Sequence, residues 1–217
     1  MSRSRKQRKT GNWVSRQNQD IYVRQAREQG LRARSAFKLE QIAKKYRLIN
    51  ASSRVLDLGS APGSWCQFAA TQVASAGQVL GVDLLPMDRI EGVEFIQGDF
   101  QDSAVRQQIQ EFFRNEKADL VLSDMAPNIT GIRVKDQANA EAMQRGILDL
   151  CADVLKPGGK LLTKLFEGES MNTLRNKFSR GFEQIQMIKP DASRSKSREV
   201  YLLGRGFKNL PCTEAEN

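Results

Sequence analysis

The sequence of 217 residues contains no histidine. Histidine is the base in Ser-His-Asp and Cys-His catalysis and a ligand in HExxH zinc sites, so its absence excludes these classes of enzyme. Cysteine is also scarce, and Cys66, Cys151 and Cys212 have none of the spacings that bind metals. We therefore predict no metal site, and the odd number of cysteines suits a reducing compartment.

Long apolar runs are absent as well. No run approaches the ~18 residues that a membrane-spanning helix needs, and the first residues lack the apolar segment of a signal peptide. We therefore expect a cytoplasmic protein that contacts no membrane. The sequence shows no signature of a subunit interface, and we expect a monomer.

The net charge of +9 is distributed unevenly along the chain. Residues 1–47 contain 14 basic and 3 acidic side chains, whereas the other 170 residues contain 20 basic and 22 acidic ones. A basic segment on a slightly acidic domain predicts binding to nucleic acid, because cationic side chains attract phosphate groups. The alternative, a segment that only improves solubility or adheres to ribosomes, stays open. We divide the chain into a basic, largely flexible arm (1–30), a folded domain (31–206) and a tail (207–217).

Residues 55–65, Val-Leu-Asp-Leu-Gly-Ser-Ala-Pro-Gly-Ser-Trp, are the stretch around which the rest of the chain is organised. Three of the first four residues are apolar, which is typical of a strand buried on both faces. Gly59 and Gly63 then allow the backbone to turn sharply and to approach a ligand closely. An apolar helical stretch follows. Strand, glycine turn and helix in this order are typical of the first unit of a doubly wound nucleotide-binding sheet.

The residues around this turn narrow the choice of ligand. No Gly-Lys-Ser/Thr follows Gly63, which excludes a triphosphate-binding loop. The third glycine of a dinucleotide fingerprint is missing, because Trp65 and Cys66 occupy that region. Asp57, at the end of the strand, would repel a pyrophosphate but suits a ligand that carries an ammonium and a sulfonium group. The sequence therefore favours S-adenosylmethionine over a nicotinamide dinucleotide as the cofactor.

Strands and helices alternate along the rest of the chain. The apolar runs predict strands at 55–58, 78–84, 93–97, 118–122, 160–166, 182–188 and 199–203. The apolar periodicity predicts helices at 35–47, 65–73, 102–116, about 139–155 and 171–179. This alternation predicts an α/β fold, a single Rossmann-like domain with a seven-stranded, mostly parallel sheet and helices on both faces.

Four consecutive predicted strands end in a carboxylate, namely Asp57, Asp83, Asp99 and Asp124. One aspartate at the end of a strand is commonly a turn residue or a helix cap. Ligands of such sheets, however, bind outside the carboxyl ends of the strands, where these four side chains would meet. Asp83 on ribose hydroxyls and Asp99 on an adenine amino group would account for a bound adenosine. Asp124 is then left near the reacting centre.

Lys164 is unusual because it lies inside an apolar strand, Lys-Leu-Leu-Thr-Lys-Leu-Phe. An isolated buried charge is costly, so this lysine needs a partner or exposure at the end of the sheet. Glu199, in the last predicted strand, raises the same question. Pairing Lys164 with Asp124 or Glu199 resolves both, either as a structural ion pair or as a functional site.

Together these motifs resemble the FtsJ-like family of RNA ribose 2′-O-methyltransferases, over about residues 34–206. The motifs that carry the resemblance are Val55 to Trp65, Val82-Asp83, Gly98-Asp99, Ser123-Asp124-Met125-Ala126-Pro127, Lys156-Pro157-Gly158-Gly159 and Thr163-Lys164-Leu165-Phe166. The resemblance implies a catalytic tetrad of Lys38, Asp124, Lys164 and Glu199. It also implies that the S-adenosylmethionine cofactor contacts Gly63, Trp65, Asp83, Asp99 and Asp124.

Within this family the resemblance is greatest to bacterial heat-shock enzymes that methylate a uridine of large-subunit ribosomal RNA. It therefore implies that the substrate is ribosomal RNA within the large subunit, at a uridine of the peptidyl-transferase A-loop. Methyl transfer to a ribose hydroxyl needs an acceptor for the hydroxyl proton, and without histidine Lys164 is the best candidate. Lys164 could instead orient the hydroxyl and stabilise the developing alkoxide as a cation. We favour the base.

Two other functions stay open at this point. A methyltransferase that modifies a base is disfavoured, because no aromatic ring follows Asp124 to stack on a flipped base and Cys212 lies in an unpatterned tail. A non-catalytic RNA-binding or ribosome-assembly factor on the same fold would explain the basic arm equally well. It would not explain the cofactor carboxylates or the buried lysine.

Overall fold

The computed structural model describes residues 21–114, 116–128, 130–168, 171–194 and 197–208. Their strands are β1 (Arg54–Leu58), β2 (Gln78–Asp83), β3 (Glu94–Gln97), β4 (Ala118–Ser123), β5 (Leu155–Phe166), β6 (Phe182–Ile188) and β7 (Glu199–Phe207). Their helices are α1 (Ile21–Glu28), α2 (Ala36–Tyr46), α3 (Ser64–Gln72), α4 (Ser103–Phe112), α5 (Arg133–Val154) and α6 (Met171–Gly181). None of these helices combines the length and the apolar composition that crossing a membrane requires.

The strands form one sheet in the order β3-β2-β1-β4-β5-β7-β6. Neighbouring strands from β3 to β5 are parallel, whereas β7 runs antiparallel to both β5 and β6. The chain builds the sheet outward from β1 to β3 and then returns to add β4 on the other side of β1. In open parallel sheets the crevice at such a reversal is where ligands bind. The predicted α/β fold with a seven-stranded, mostly parallel sheet is confirmed.

Apolar side chains cover both faces of the sheet. Val55 of β1 belongs to a core that includes side chains of α2 and α3, whereas the adjacent Leu56 belongs to the core on the opposite face, which includes side chains of α4, α5 and α6. Successive side chains of a strand point to opposite faces, so the near-continuous apolar run of β1 fits a strand that is covered on both. Each large apolar side chain buried in this way contributes about 1.5–3 kcal/mol. The two cores therefore hold the carboxyl ends of the central strands in fixed positions.

Helix α5 is longer than the sequence predicted, because it begins at Arg133 rather than near residue 139. Its first turns carry no apolar stripe, and Val134 is 78% exposed. Polar contacts stabilise the start of the helix instead. The carboxylate of Asp136 accepts hydrogen bonds from the backbone N–H groups of Thr130 (2.6 Å) and Gly131 (3.0 Å). Apolar periodicity cannot detect turns that are held in this way.

Helix α1 lies in the segment that the sequence analysis assigned to a flexible arm. It packs on α2, since Ala26 is buried against Phe37 and the ring centroids of Tyr22 and Phe37 are 5.5 Å apart. These few apolar contacts hold residues 21–28 in place although the segment as a whole is polar. The rest of the predicted arm, residues 1–20, and the tail from residue 209 lie outside the described residues.

Candidate active site

A cavity of about 530 Å³ opens at the carboxyl ends of β1 to β4, where the strand order reverses. Its walls come from the loops that follow these strands and from one side of α5. The lining residues include Gly59, Asp83, Leu84, Gly98, Asp99, Phe100, Met125, Pro127, Asn139 and Met143. Cavities of this volume bind small molecules and cofactors. Carboxylates and apolar side chains thus share one crevice.

Two of the predicted cofactor residues, Asp83 and Asp99, line this cavity. Both also fix the local backbone, as expected for aspartates at strand ends. The Asp83 carboxylate accepts hydrogen bonds from the backbone N–H groups of Ala61 and Leu85, each at 2.8 Å. The Asp99 carboxylate accepts one from the N–H of Gln101 at 2.9 Å. These contacts hold both carboxylates at the cavity wall in defined orientations.

Two other predicted cofactor residues, Gly63 and Trp65, are not among the residues that line the cavity. Gly63 has a φ of +106°, a conformation that favours glycine, and a Cβ there would lie 2.6 Å from the side chain of Ile90. Trp65 is buried in the core beside α2, and its indole N–H donates to the backbone carbonyl of Ser35 at 2.9 Å. Gly63 therefore shapes the turn, while Trp65 joins α3 to the segment that enters α2.

Asp57 is deeply buried in β1, below the cavity rather than in its wall. The thiol of Cys66 donates a hydrogen bond to its carboxylate, with Sγ and Oδ2 3.2 Å apart. Burial, reinforced by the negative charges of Asp124 and Asp83, raises the pKa of Asp57 to about 7. The sequence analysis used the charge of Asp57 to choose between ligands; in the structure its carboxylate contacts Cys66 and is not among the groups that line the cavity.

The four residues of the predicted tetrad form two ion pairs on α2 and three neighbouring strands. Lys164 Nζ lies 3.1 Å from Asp124 Oδ1 and also donates a hydrogen bond to the backbone carbonyl of Asp124. Lys38 Nζ, from α2, lies 2.5 Å from Glu199 Oε1. Both lysines are only 8% exposed, so each depends on its carboxylate partner. The sequence analysis left the partner of Lys164 open, and the structure selects Asp124.

Tyr201, which the sequence analysis did not single out as a site residue, connects the two pairs. It is the cross-strand neighbour of Lys164 in the β5–β7 ladder. Its hydroxyl donates to Asp124 Oδ1 at 2.7 Å, and Lys38 Nζ lies 5.8 Å from the centroid of its ring. Burial and then the Asp124 carboxylate raise the pKa of Tyr201 far above its ordinary value, so the phenol stays protonated and remains a donor. Only its position two residues after Glu199 could have indicated it.

The charge of Glu199 is fixed by its surroundings. Burial raises the pKa of Glu199. The hydrogen bond and positive charge of Lys38, together with the charge of Lys164, lower it by more, so the pKa lies below its ordinary value. Glu199 is therefore a carboxylate at neutral pH and compensates the charge of Lys38. None of the four tetrad residues is among those that line the cavity, but Asp124 directly precedes the cavity-lining residue Met125 in the chain, and Lys164 is paired with Asp124.

A buried polar contact behind the site holds the backbone of Lys164. Gln144, in α5, donates from Nε2 to the carbonyl oxygen of Lys164 at 3.0 Å. Its Oε1 accepts a hydrogen bond from the hydroxyl of Thr163, also at 3.0 Å. Both side chains are buried, so each satisfies the other's polar group where water is absent. The sequence gives no signal for Gln144, because it lies within a helix of ordinary amphipathic pattern.

The arrangement can bind a nucleoside-sized group, and it can orient a hydroxyl beside that group and accept its proton. The cavity offers carboxylates and apolar walls, and the Lys164–Asp124 pair lies at the carboxyl ends of β4 and β5, where Asp124 directly precedes the cavity-lining Met125. Among the described residues, no cluster of three or more Cys, Asp or Glu side chains could hold a metal ion. A Rossmann-like sheet with this site defines the class of α/β methyltransferases.

The chain belongs to the FtsJ-like methyltransferase family, whose model matches residues 31–207. Relatives named ribosomal RNA large subunit methyltransferase E are similar to it over almost their whole length. The protein of Alkalilimnicola ehrlichii is 46% identical over 205 residues, which are 94% of this chain and 98% of that protein. The protein of Marinobacter nauticus is 44% identical over 196 residues, or 90% and 95% of the two chains. The resemblance found in the sequence motifs is confirmed.

Two solved structures share the fold. A ribosomal RNA methyltransferase from Plasmodium falciparum superposes with a TM-score of 0.73 at 29% identity and covers 81% of this chain and 98% of that one. The fibrillarin pre-rRNA processing protein of Methanococcus jannaschii has a TM-score of 0.52 at 18% identity, covering 74% and 69%. The second likeness concerns the fold alone.

Proposed function

We propose that this enzyme transfers a methyl group from S-adenosylmethionine to a ribose 2′-hydroxyl of ribosomal RNA in the large subunit, at a uridine of the A-loop. The Lys164–Asp124 pair beside the cavity is the observation that carries the proposal. A basic and an acidic group held together in this way can orient and deprotonate a hydroxyl, which supports the proposal. The names of the relatives, ribosomal RNA large subunit methyltransferase E, support ribosomal RNA of the large subunit as the substrate.

The cavity fits an adenosine-containing cofactor. Asp83 and Asp99 supply carboxylates that can accept hydrogen bonds from ribose hydroxyls and from an adenine amino group. Leu84, Phe100 and Met143 supply apolar surface for the flat base. When bound, S-adenosylmethionine supplies an electrophilic methyl group, and the protein must hold the attacking oxygen in line with it.

Lys164 and Asp124 have different roles in the transfer of the hydroxyl proton. We assign the uptake of the proton from the ribose hydroxyl to the neutral amine form of Lys164, which exists after the ammonium of the ion pair has released its own proton to solvent. As the hydroxyl oxygen attacks, Nζ takes the hydroxyl proton and becomes an ammonium again. Asp124 stabilises the resulting ammonium through its carboxylate and its backbone carbonyl, both of which already contact Nζ. Tyr201 holds the same carboxylate by donating to it. Lys38 and Glu199, paired with each other, leave the net charge of the site unchanged.

A ribose oxygen suits this site better than a base. Cavity-lining Met125 and Pro127 follow Asp124, and neither provides an aromatic face on which a flipped base could stack. The hydroxyl at the 2′ position is also the group that distinguishes RNA from DNA. The lysine–carboxylate arrangement acts on such a hydroxyl.

Replacement of the target ribose by its 2′-deoxy form tests this proposal. Large-subunit RNA carrying one 2′-deoxynucleotide at the target should bind but incorporate no labelled methyl group. The same substitution at the neighbouring nucleotide is the control and should leave incorporation intact. Full methylation of RNA that is 2′-deoxy at the target would place the methyl group on a base and contradict the proposal.

A further inference from the structure

Arg32, in the segment between α1 and α2, donates hydrogen bonds to three backbone carbonyl groups. Its Nη1 donates to the oxygens of Pro62 and Asp88, and its Nη2 donates to that of Arg89, each at 2.8 Å. Pro62 belongs to the glycine turn after β1, whereas Asp88 and Arg89 belong to the loop after β2. One guanidinium group therefore joins two loops that are distant in the sequence.

These two loops flank the cavity. Gly59 of the glycine turn and Leu84 of the loop after β2 both line it. On the inner side the Asp83 carboxylate already connects the loops through Ala61 and Leu85. Arg32 connects them again on the outer side. The wall of the cavity between β1 and β2 is thus held at two separate points.

The glycine turn, the loop after β2 and Arg32 pack closely around Gly63. A Cβ at Gly63 would lie 2.6 Å from Ile90 Cδ1 and 3.0 Å from Arg32 Nη1, so the loop and the guanidinium pack directly on the turn. The backbone of Arg32 is also fixed, because its N–H donates to Gln67 Oε1 at 3.1 Å. Gln67 lies in α3 and in turn donates to the carbonyl of Gly30 at 3.0 Å.

We propose that Arg32 is a positioning residue for the cofactor, and that it keeps the glycine turn and the loop after β2 at the separation that cofactor binding requires. This inference rests on the proposed function, in which the cavity binds S-adenosylmethionine. Arg32 lies in the most basic part of the chain, where an arginine would ordinarily be assigned to RNA phosphates. Its bonds to three carbonyls assign it instead to the cofactor side of the reaction.

Cofactor affinity measured without RNA tests the inference. S-adenosylhomocysteine, titrated calorimetrically into the full-length protein, should bind Arg32→Ala at least about tenfold more weakly than wild type, since three hydrogen bonds from a charged donor are lost. Arg32→Lys should recover only part of the affinity, because an ammonium cannot reach three carbonyls in the geometry of a planar guanidinium. Arg24→Ala is the matched control. Arg24 is 70% exposed and its guanidinium pairs with Glu28 of the same helix, so wild-type affinity is expected.

Kinetics separate positioning from mere structural support. Arg32→Ala should raise KM for S-adenosylmethionine about tenfold or more and leave kcat at saturating cofactor within a few-fold of wild type. Lys164→Ala should show the opposite pattern. The RNA affinity of Arg32→Ala should fall only slightly and no more than that of Arg24→Ala, because Arg32 directs its donors to backbone carbonyls rather than to phosphates. A purely structural role for Arg32 would lower the melting temperature and leave cofactor affinity in the folded protein unchanged.

Several outcomes overturn the inference. The inference is wrong if folded Arg32→Ala binds S-adenosylhomocysteine with wild-type affinity. If the alanine variant does not fold, wild-type affinity in Arg32→Lys contradicts it instead. Equal weakening in Arg24→Ala would do so as well. These results would leave the proposed function intact. Failure of the wild-type protein itself to bind S-adenosylhomocysteine would overturn the proposed cofactor and the role of Arg32 together.

Discussion

Lys164 contacts Asp124 twice, through the carboxylate Oδ1 at 3.1 Å and through the backbone carbonyl oxygen. The two side chains are 10% and 21% exposed, so solvent and salt screen their interaction weakly. The hydroxyl of Tyr201 donates to the same Oδ1 and fixes its position. A base that takes up a proton needs a partner of this kind, already oriented before the reaction begins.

Removing Lys164 should abolish catalysis and leave binding intact. We expect Lys164→Ala to lose about 10²- to 10⁴-fold in turnover, the usual contribution of a general base, while affinity for cofactor and RNA persists. Lys164→Arg should fail as well, because arginine stays protonated at any usable pH. Turnover with a labelled methyl donor at saturating substrates measures both.

Lys156→Ala is the matched control for Lys164. It removes a lysine of the same strand whose side chain is 46% exposed and paired with Asp119, and it should keep wild-type turnover. Strong activity in Lys164→Arg would show that the site needs a positive charge rather than a proton acceptor. Strong activity in Lys164→Ala would remove the residue from the mechanism.

The contact between Gln144 and Thr163 should appear as coupling in a double-mutant cycle. Gln144→Leu leaves the hydroxyl of Thr163 and the carbonyl of Lys164 without this buried partner, and should reduce the free energy of unfolding by about 1–3 kcal/mol. Adding Thr163→Val should recover part of that loss, because two apolar side chains leave fewer polar groups unsatisfied. Urea unfolding of the four proteins gives the coupling energy. Strictly additive losses would show that the two side chains do not support each other.

Asp57 should make the protein less stable as the pH rises. Burial raises its pKa from 3.8 in the unfolded chain to about 7 in the folded protein, so the folded state binds more protons between these values. The free energy of unfolding therefore falls as the pH rises from about 4 to about 7, by up to ~4 kcal/mol for a shift of this size. Asp57→Asn removes the titrating group and keeps the acceptor for Cys66.

The difference between wild type and Asp57→Asn isolates this contribution. Urea unfolding at pH 5 and pH 8 should show wild type losing stability relative to the variant at the higher pH. Other titrating groups act on both proteins and cancel. Parallel pH profiles for the two proteins would show that Asp57 does not titrate in this range.

For some of the predicted site residues, a general rule connects the position in the sequence with the place in the fold. Parallel strands bring their carboxyl ends to one edge, and this placed Asp83 and Asp99 together at a cavity. A lysine inside an apolar strand must have a partner, and Lys164 has one in Asp124. The role of Lys38 came from family resemblance alone, since a lysine on a helix is ordinarily solvated.

The residues that the sequence missed depend on side-chain contacts between distant elements. In the sequence, Tyr201 and Gln144 are ordinary core positions of a strand and a helix. Their roles depend on the pairing of β7 with β5 and on the packing of α5 against the sheet. Arg32 looks like one more cation of a basic segment until its guanidinium reaches Pro62. Composition and periodicity describe each helix or strand by itself and carry no information about side-chain contacts between distant elements.

Deleting residues 1–20 should weaken RNA binding and leave cofactor affinity unchanged. These residues contain the basic side chains of Arg3, Arg5, Lys6, Arg8, Lys9 and Arg16. The deletion ends before α1, because Ala26 packs on Phe37 and loss of α1 would disturb α2. Each lost phosphate contact should reduce the slope of log affinity against log salt concentration by roughly 0.7–0.9. Filter binding of large-subunit RNA across a salt series measures the slope.

A full-length variant with those six side chains replaced by glutamine separates charge from chain length. If the residues act by attracting phosphate, this variant should match the deletion in both affinity and slope. Calorimetry with S-adenosylhomocysteine should give wild-type affinity in both, since both variants keep every cavity-lining residue and Arg32. A slope identical to that of wild type in the deletion would mean that residues 1–20 do not contact phosphate. Weak binding with an unchanged slope would point to contacts with bases or with protein, because only ionic contacts release counterions.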